Sequence, residues 1–149
     1  MNDTYQEPDV TKTPEQREAT FLQGMSTQVA RVHSLAPNAK VIVVGYPDLT
    51  DGQSNLCPIN FAANVSRVHV DGLDQTQETV RESQRKIAED NGAIFLDISA
   101  SINAQSNNNT CGTGERLAAA DIDEQIHNLW GHLTTAENQY YADRIKEIL

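Results

Sequence analysis

The chain has 149 residues, with 11 Lys+Arg against 21 Asp+Glu and a formal net charge of −10, a length that suits one domain or part of one. Such an acidic surface lacks the positive field that phosphate backbones and anionic lipids attract, which argues against nucleic-acid and membrane-surface partners. The hydrophobic share of 38% exceeds that of a disordered chain, and the longest apolar run, residues 41–44, is far too short to span a bilayer.

The first predicted helix begins after Thr13-Pro14-Glu15-Gln16. This string combines an N-cap threonine, a proline at the first helical position and a glutamine placed to close a capping box. Apolar residues then recur every three or four positions until Pro37 ends the helix: Phe21, Leu22, Met25, Val29, Val32 and Leu35. The run Val41-Ile42-Val43-Val44 predicts a strand buried on both faces, as in a parallel sheet.

A long polar stretch, residues 48–70, follows the first strand. It is rich in Gly, Pro, Asn and Ser, and it predicts an irregular loop that carries Cys57. Asp71 is the predicted N-cap of a second amphipathic helix, and Asn91-Gly92 is the predicted end of that helix.

Residues 93–97 predict a second short buried strand. A second polar stretch, residues 99–132, carries Cys111 and leads to the terminal helix. Thr134 and Glu137 have the spacing of a capping box at the start of that helix.

Helices that alternate with buried strands indicate an α/β domain with parallel strands. Two strands are too few for a stable doubly wound sheet, because the ribbon would have unpaired edges. Either a further strand lies within the polar stretches, or the domain lacks a piece.

The two cysteines, Cys57 and Cys111, lie in polar, turn-rich surroundings. They suit a disulfide in an oxidising compartment, and they equally suit two unpaired thiols in a cytosolic protein. The sequence pattern leaves both alternatives open.

Ligands of α/β proteins bind beyond the carboxyl ends of the strands, which places any site in residues 46–70 and 97–132. His127 and His132 lack the short, repeated spacing of zinc ligands. The run Asp121-Ile122-Asp123-Glu124 matches only a fragment of a calcium loop and is predicted to be solvated. Gly112-Thr113-Gly114 lacks the third glycine of a dinucleotide fingerprint. No metal or other cofactor is therefore predicted.

His132 is the strongest candidate for chemistry. It stands in Trp130-Gly131-His132-Leu133-Thr134, directly before a capped helix that would fix its backbone. A histidine held in this way is suited to act as a general base beside a nucleophile from another strand. The alternative is a structural loop histidine.

Three strings of residues occur in an order that is typical of one family. Met1-Asn2-Asp3-Thr4 is similar to a Gly-Asn-Asp block, and residues 36–47 are similar to a strand of the form P-x-A-x-V-x-V-x-G-Y-P. His132 is followed by Leu-Thr-x-x-x-Asn and a helix containing Tyr141-Ala142. In these features the chain resembles the second half of the SGNH hydrolases, the GDSL-type lipases and esterases, especially their secreted, disulfide-containing bacterial branch.

The resemblance implies a three-layer αβα, flavodoxin-like fold with a parallel sheet whose N-terminal strands are missing. It implies that Cys57 and Cys111 form a disulfide and that the protein acts outside the cell. It also implies that Asn2 is an oxyanion-hole donor and His132 the general base, in an enzyme that cleaves a lipid, carbohydrate or other small-molecule ester without a cofactor.

Two departures from the family pattern weaken the implied activity. The Gly-Asp-Ser block with the nucleophile is absent, and no family motif surrounds Ser99 or Ser101. The aspartate that usually stands three positions before the histidine is replaced by Leu129. Residues 1–149 are therefore expected to form a single, incomplete hydrolase domain with little or no turnover. The alternative is a non-catalytic α/β interaction module, completed by a partner chain or by self-association through an uncovered sheet edge.

Overall fold

The computed structural model describes residues 11–99, 109–113, 116, 118–124 and 132–149. The described elements, in chain order, are α1 (Pro14–Leu35), β1 (Ile42–Val44), β2 (Asn55–Phe61), β3 (Asn64–His69), α2 (Leu73–Asp90), β4 (Ile94–Leu96), β5 (Ile122–Asp123) and α3 (Thr135–Ile148). The predicted α/β class with parallel strands is confirmed, because β1 pairs with β4 in parallel. None of the described helices has the length and apolar character needed to cross a membrane.

The described chain divides into two compact units. Unit 1 contains residues 11–45 and 78–96, and unit 2 contains residues 46–77 together with the described residues from 97 onward. The helix α2 therefore starts in unit 2 and continues in unit 1.

Unit 1 follows the predicted helix-strand pattern closely. The N-terminus of α1 has the full capping box between Thr13 and Gln16, with both reciprocal hydrogen bonds formed. The β1–β4 ladder aligns Val43 with Phe95 and is extended by a hydrogen bond from the Gly45 N–H to the Leu96 carbonyl. The apolar core of this unit consists of Val29, Val43, Ile87 and Ala88, with Leu22, Met25, Val41, Ala93 and Phe95 packed against it.

Gly45 directly follows β1, at a point where the chain passes very close to β4. A Cβ atom at this position would lie 3.2 Å from the Leu96 carbonyl oxygen and 3.3 Å from the ring of Phe95. Only glycine permits this approach without displacement of β4.

The start of α2 differs from the prediction. Asp71 bonds the ring of His69 and is not the N-cap residue. The helix is instead capped from a distance, because the Ser54 hydroxyl accepts a hydrogen bond from the Asp74 N–H while the Asp74 carboxylate accepts one from the Ser54 N–H. The hydroxyl of Thr50 also donates to the Asp74 carboxylate. A cap supplied 20 residues upstream has no local sequence signature.

The prediction of an irregular loop over residues 48–70 is wrong. This stretch contains β2 and β3, which form an antiparallel hairpin, and β2 also pairs in parallel with β5. The register of the hairpin shifts between Leu56 and Ile59, around Pro58. Proline cannot donate to a ladder and is tolerated in a strand at such an irregularity. The strands of this second sheet lie within the two polar stretches, and among the described residues β1 and β4 form a separate two-stranded sheet.

A disulfide joins Cys57 of β2 to Cys111 across a sequence separation of 54. The cross-link is surrounded by hydrogen bonds from Thr110, whose hydroxyl donates to the Leu49 carbonyl at 2.7 Å and accepts from the Cys57 N–H at 3.0 Å. The side-chain amide of Asn60 donates to the carbonyls of Thr110 and Gly112. These contacts fix residues 110–112 against β2.

Arg116 lies beside β2 and β5 and is buried, with only 3% of its side chain exposed. Its guanidinium group donates to the carbonyls of Gly112 and Asn60 and to the Glu124 carboxylate. It also lies 3.6 Å from the Asp123 carboxylate, whose side chain is fully buried. The prediction that the acidic run at 121–124 is solvated is therefore wrong for Asp123, because this carboxylate pairs with a buried cation and accepts from the Ala120 N–H.

Candidate active site

His132 lies immediately before α3, as predicted, and is exposed to solvent. Its carbonyl accepts a hydrogen bond from the Ala119 N–H at 3.0 Å, and the next residue, Leu133, forms an antiparallel bridge with Ala118. Ala118 and Ala119 are fully buried. The backbone of His132 is thus anchored to buried chain while its side chain remains accessible, which is the arrangement that a general base requires.

Thr134 makes the second anchor of this segment. Its side chain is buried, and its hydroxyl accepts the Glu137 N–H at 3.3 Å and donates to the Arg116 carbonyl at 2.8 Å. The same residue therefore caps α3 and ties the start of the helix to the segment that carries Arg116. The predicted role of Thr134 as N-cap is confirmed.

The predicted capping box at α3 is only half formed. Glu137 does not return a hydrogen bond to Thr134, because its carboxyl group is turned inward and is 0% exposed. Burial raises the pKa of Glu137 from its ordinary value of 4.5 to about 8, and the hydroxyl of Tyr141 opposes this rise in part. Burial also raises the pKa of Tyr46, with a further contribution from Glu137.

Ser99 is unsuited to the role of nucleophile in this structure. It is 3% exposed, and its hydroxyl donates to the Asp97 carboxylate at 2.7 Å while its N–H bonds the same oxygen. These contacts form a local turn of the kind that aspartate commonly makes with a residue two positions later. The hydroxyl is used inside the turn and is not presented to a substrate.

Several residues singled out from the sequence lie outside the described part of the chain. They include the proposed oxyanion donor Asn2, the alternative nucleophile Ser101, His127, and Leu129 at the position of the missing aspartate. Their roles remain sequence-based predictions. The proximity of Asn2 to His132 is therefore also a sequence-based prediction.

The described residues contain no group of three or more His, Cys, Asp or Glu side chains placed to hold a metal ion. His69, at the end of β3, is exposed and contacts Asn55 and Asp71 through its two ring nitrogens. These contacts give His69 a structural role at the surface of the hairpin.

No family model matches the chain. A protein of Streptomyces scabiei is 31% identical to it in an alignment 138 positions long that covers 80% of this chain. That protein is named an esterase. The chain spans 39% of the length of this relative.

The sequence pattern missed three residues of this region, namely Glu137, Tyr141 and Tyr46. The pattern assigns Glu137 to a capping box and Tyr141 to the terminal helix, and it contains Tyr46 only as part of the string 36–47. A glutamate spaced three positions after a threonine indicates a cap whether its carboxyl faces water or the interior. Glu137 and Tyr141 are four positions apart on one face of a helix, and this spacing could have indicated that they are neighbours. No such signal links Tyr46 to them.

Proposed function

We propose that this chain is part of a serine carboxylic ester hydrolase of the SGNH type, with His132 as the general base. The observation that carries the proposal is the similarity to the Streptomyces scabiei esterase over 80% of the chain. The anchored backbone and accessible side chain of His132 suit the general base that such an enzyme needs. The substrate class is a lipid, carbohydrate or other small-molecule ester, and no cofactor is required.

In this mechanism the imidazole of His132 accepts the proton of a serine hydroxyl as that oxygen attacks the ester carbonyl. The same imidazole then returns the proton to the departing alcohol. The hydrogen bond from Ala119 to the His132 carbonyl and the cap at Thr134 hold the backbone on both sides. They reduce the motion that would otherwise separate the base from its nucleophile.

Three further groups complete the proposed machinery. The side-chain amide of Asn2 would stabilise the developing oxyanion, where a single well-placed donor contributes about 3 kcal/mol. The nucleophilic serine would belong to a Gly-Asp-Ser block that the 149 residues do not contain. A main-chain carbonyl would orient His132 in place of the aspartate that Leu129 replaces.

We further propose that the chain is one incomplete hydrolase domain that acts outside the cell. The disulfide between Cys57 and Cys111 supports this location, because such bonds persist in oxidising compartments.

The 149-residue chain itself tests the assignment of the nucleophile. Incubation with a p-nitrophenyl acetate assay and with a fluorophosphonate probe is expected to give no serine-dependent turnover and no labelled serine. Labelling of Ser99 or of another serine in this chain, with matching turnover, would show that the nucleophile is already present.

The base is tested in a longer protein. If the reading frame upstream of Met1 encodes a strand with Gly-Asp-Ser and a glycine before Asn2, that protein is expected to hydrolyse the ester. His132→Asn should then lower kcat by roughly 100- to 10,000-fold. His69→Asn, at an exposed position in the hairpin, serves as the matched control and should leave kcat unchanged. Equal kcat values for both variants would refute the role of His132.

The second candidate is a non-catalytic α/β module that another chain completes. It is favoured by three apolar residues of α1 that remain exposed in unit 1: Phe21 at 38%, Val32 at 43% and Leu35 at 76%. A stable, monodisperse dimer or heteromer in size-exclusion chromatography with light scattering would favour this module. Concentration-dependent aggregation would favour the incomplete hydrolase domain.

A further inference from the structure

Glu137 occupies an environment that ordinarily excludes a charged carboxylate. It lies in the first turn of α3 and is fully buried. The Thr134 hydroxyl accepts a hydrogen bond from the Glu137 N–H. Neither carboxyl oxygen has a hydrogen-bond partner of good geometry among the described residues, and the Tyr141 hydroxyl is the donor that offsets part of the rise in pKa. An ionised carboxylate without such partners costs far more free energy to bury than a neutral carboxylic acid does.

The titratable groups that interact with Glu137 in the described part of unit 2 are two phenols. Tyr46 approaches from the segment that follows β1, and Tyr141 from the next turn of α3. Both are neutral at physiological pH, so neither supplies a positive charge. The buried cation of this unit, Arg116, is engaged with Asp123 and Glu124. No ion pair of Glu137 occurs among the described residues.

The first turn of α3 is directly connected to the candidate base. The hydroxyl that binds the Glu137 N–H belongs to Thr134, and that hydroxyl also bonds the Arg116 carbonyl. His132 precedes this cap by two residues and is bound through its carbonyl to Ala119. A displacement of the first turn would therefore reach His132 through these short connections.

We propose that Glu137 is a proton-dependent positioning residue, whose neutral carboxyl group keeps the first turn of α3 docked and whose ionisation loosens that turn and the attached His132 segment. When the proton leaves for solvent, the buried carboxylate gains stability only by moving toward water. The raised pKa of Glu137, about 8, places this transition near the upper end of the physiological pH range. The inference does not depend on a catalytic role for His132.

The sign of the pH dependence follows from the proton balance. Below pH 4.5 the carboxyl group is protonated in the folded and the unfolded chain, and it favours neither state. Between pH 4.5 and about 8 the unfolded chain has lost this proton and the folded chain still holds it. The contribution of this one group to the ratio of folded to unfolded molecules then falls about tenfold per pH unit. Above about pH 8 the contribution no longer changes.

Carbon-13 NMR of the full chain, labelled at the glutamate carboxyl carbons, measures the titration directly. We expect one carboxyl signal to titrate near pH 8 and to disappear in Glu137→Gln. If every glutamate carboxyl in the wild-type chain titrates below about pH 6, the proposal is wrong. This measurement uses the unmodified protein, so it holds even if the variant fails to fold.

Urea unfolding at several pH values tests the consequence for stability. Relative to wild type, Glu137→Gln should show nearly the same folded-to-unfolded ratio at pH 5 and a ratio more than a hundredfold higher at pH 8. Glu147→Gln, on the exposed side of the same helix, is the matched control and should follow the wild type at both pH values. A constant difference between Glu137→Gln and wild type across this range would overturn the proposal.

The link to His132 is read from its imidazole signals, assigned with His132→Asn. In the wild type these signals should show a second transition that coincides with the Glu137 carboxyl titration, and Glu137→Gln should abolish it. An unchanged second transition in Glu137→Gln would show that the histidine segment responds to another group.

Discussion

Each of the two units is stabilised internally, and the kind of interaction differs between them. Unit 1 has an apolar core around Val29, Val43 and Ile87, and its helix α1 begins with a capping box formed by neighbouring residues. Unit 2 depends on contacts between distant positions, such as the disulfide and the hydrogen bonds of Thr110 and Arg116 that cross more than 50 residues. Apolar periodicity describes the first kind of interaction, whereas the second depends on which polar groups meet after folding.

Removal of the disulfide should give the largest difference between the two units. Closure of a loop with 54 residues of separation stabilises the folded state by about 4 kcal/mol in the chain-entropy model. The double variant Cys57→Ser with Cys111→Ser should therefore lower the free energy of unfolding of unit 2 by about this amount. Amide hydrogen exchange should show the loss of protection in β2 and β3, while β1 and β4 stay protected. Equal losses in both units would mean that they unfold as one.

Truncation of the core of unit 1 is the converse experiment. Ile87 is 1% exposed, and Ile87→Ala should cost about 3 kcal/mol through lost burial and the cavity that remains. Protection should fall in α1, β1 and β4 and persist in the hairpin. Ile122→Ala is the matched control in unit 2, because Ile122 is 52% exposed and should cost less than about 1 kcal/mol. Thermal unfolding of both variants provides the comparison.

The smallest expected effects concern the two helix caps. Thr13→Ala removes a local cap from α1, and Ser54→Ala removes the cap that reaches the Asp74 N–H from 20 residues away. Each should cost about 1 kcal/mol. The exchange pattern should differ, because Thr13→Ala affects only the first turn of α1, whereas Ser54→Ala should also release the chain between Thr50 and Ser54. A purely local effect of Ser54→Ala would weaken the distinction between the units.

The elements predicted from sequence are those whose signals are contiguous. Thr13 and Pro14 mark the start of α1, the β-branched run marks β1, and Asn91-Gly92 follows the end of α2. The hairpin was missed because β2 contains Pro58 at a register shift, and all six residues of β3 are exposed. A strand that buries no face has no apolar alternation to recognise.

In the candidate site, too, only the features with a contiguous sequence signal could be predicted. His132 and the cap at Thr134 follow from a short string of residues, and both are where that string places them. The bonds of this segment to Ala119 and Arg116 come from a polar stretch that has no periodic pattern. The inward turn of Glu137 could not be predicted either, because the same spacing serves an exposed cap. The orientation depends on the tertiary surroundings of the first turn.

Arg116 has a consequence for the order in which unit 2 assembles. Its terminal guanidinium nitrogens find their partners only when β2, the chain beside Cys111 and the residue after β5 have all met. In any half-assembled state this cation would have to remain hydrated, so its contacts form at the end of folding. Substitutions at Arg116 should therefore accelerate the loss of the native state while leaving the rate of its formation almost unchanged. We therefore expect Arg116 to slow the unfolding of unit 2 and to have little effect on its folding rate.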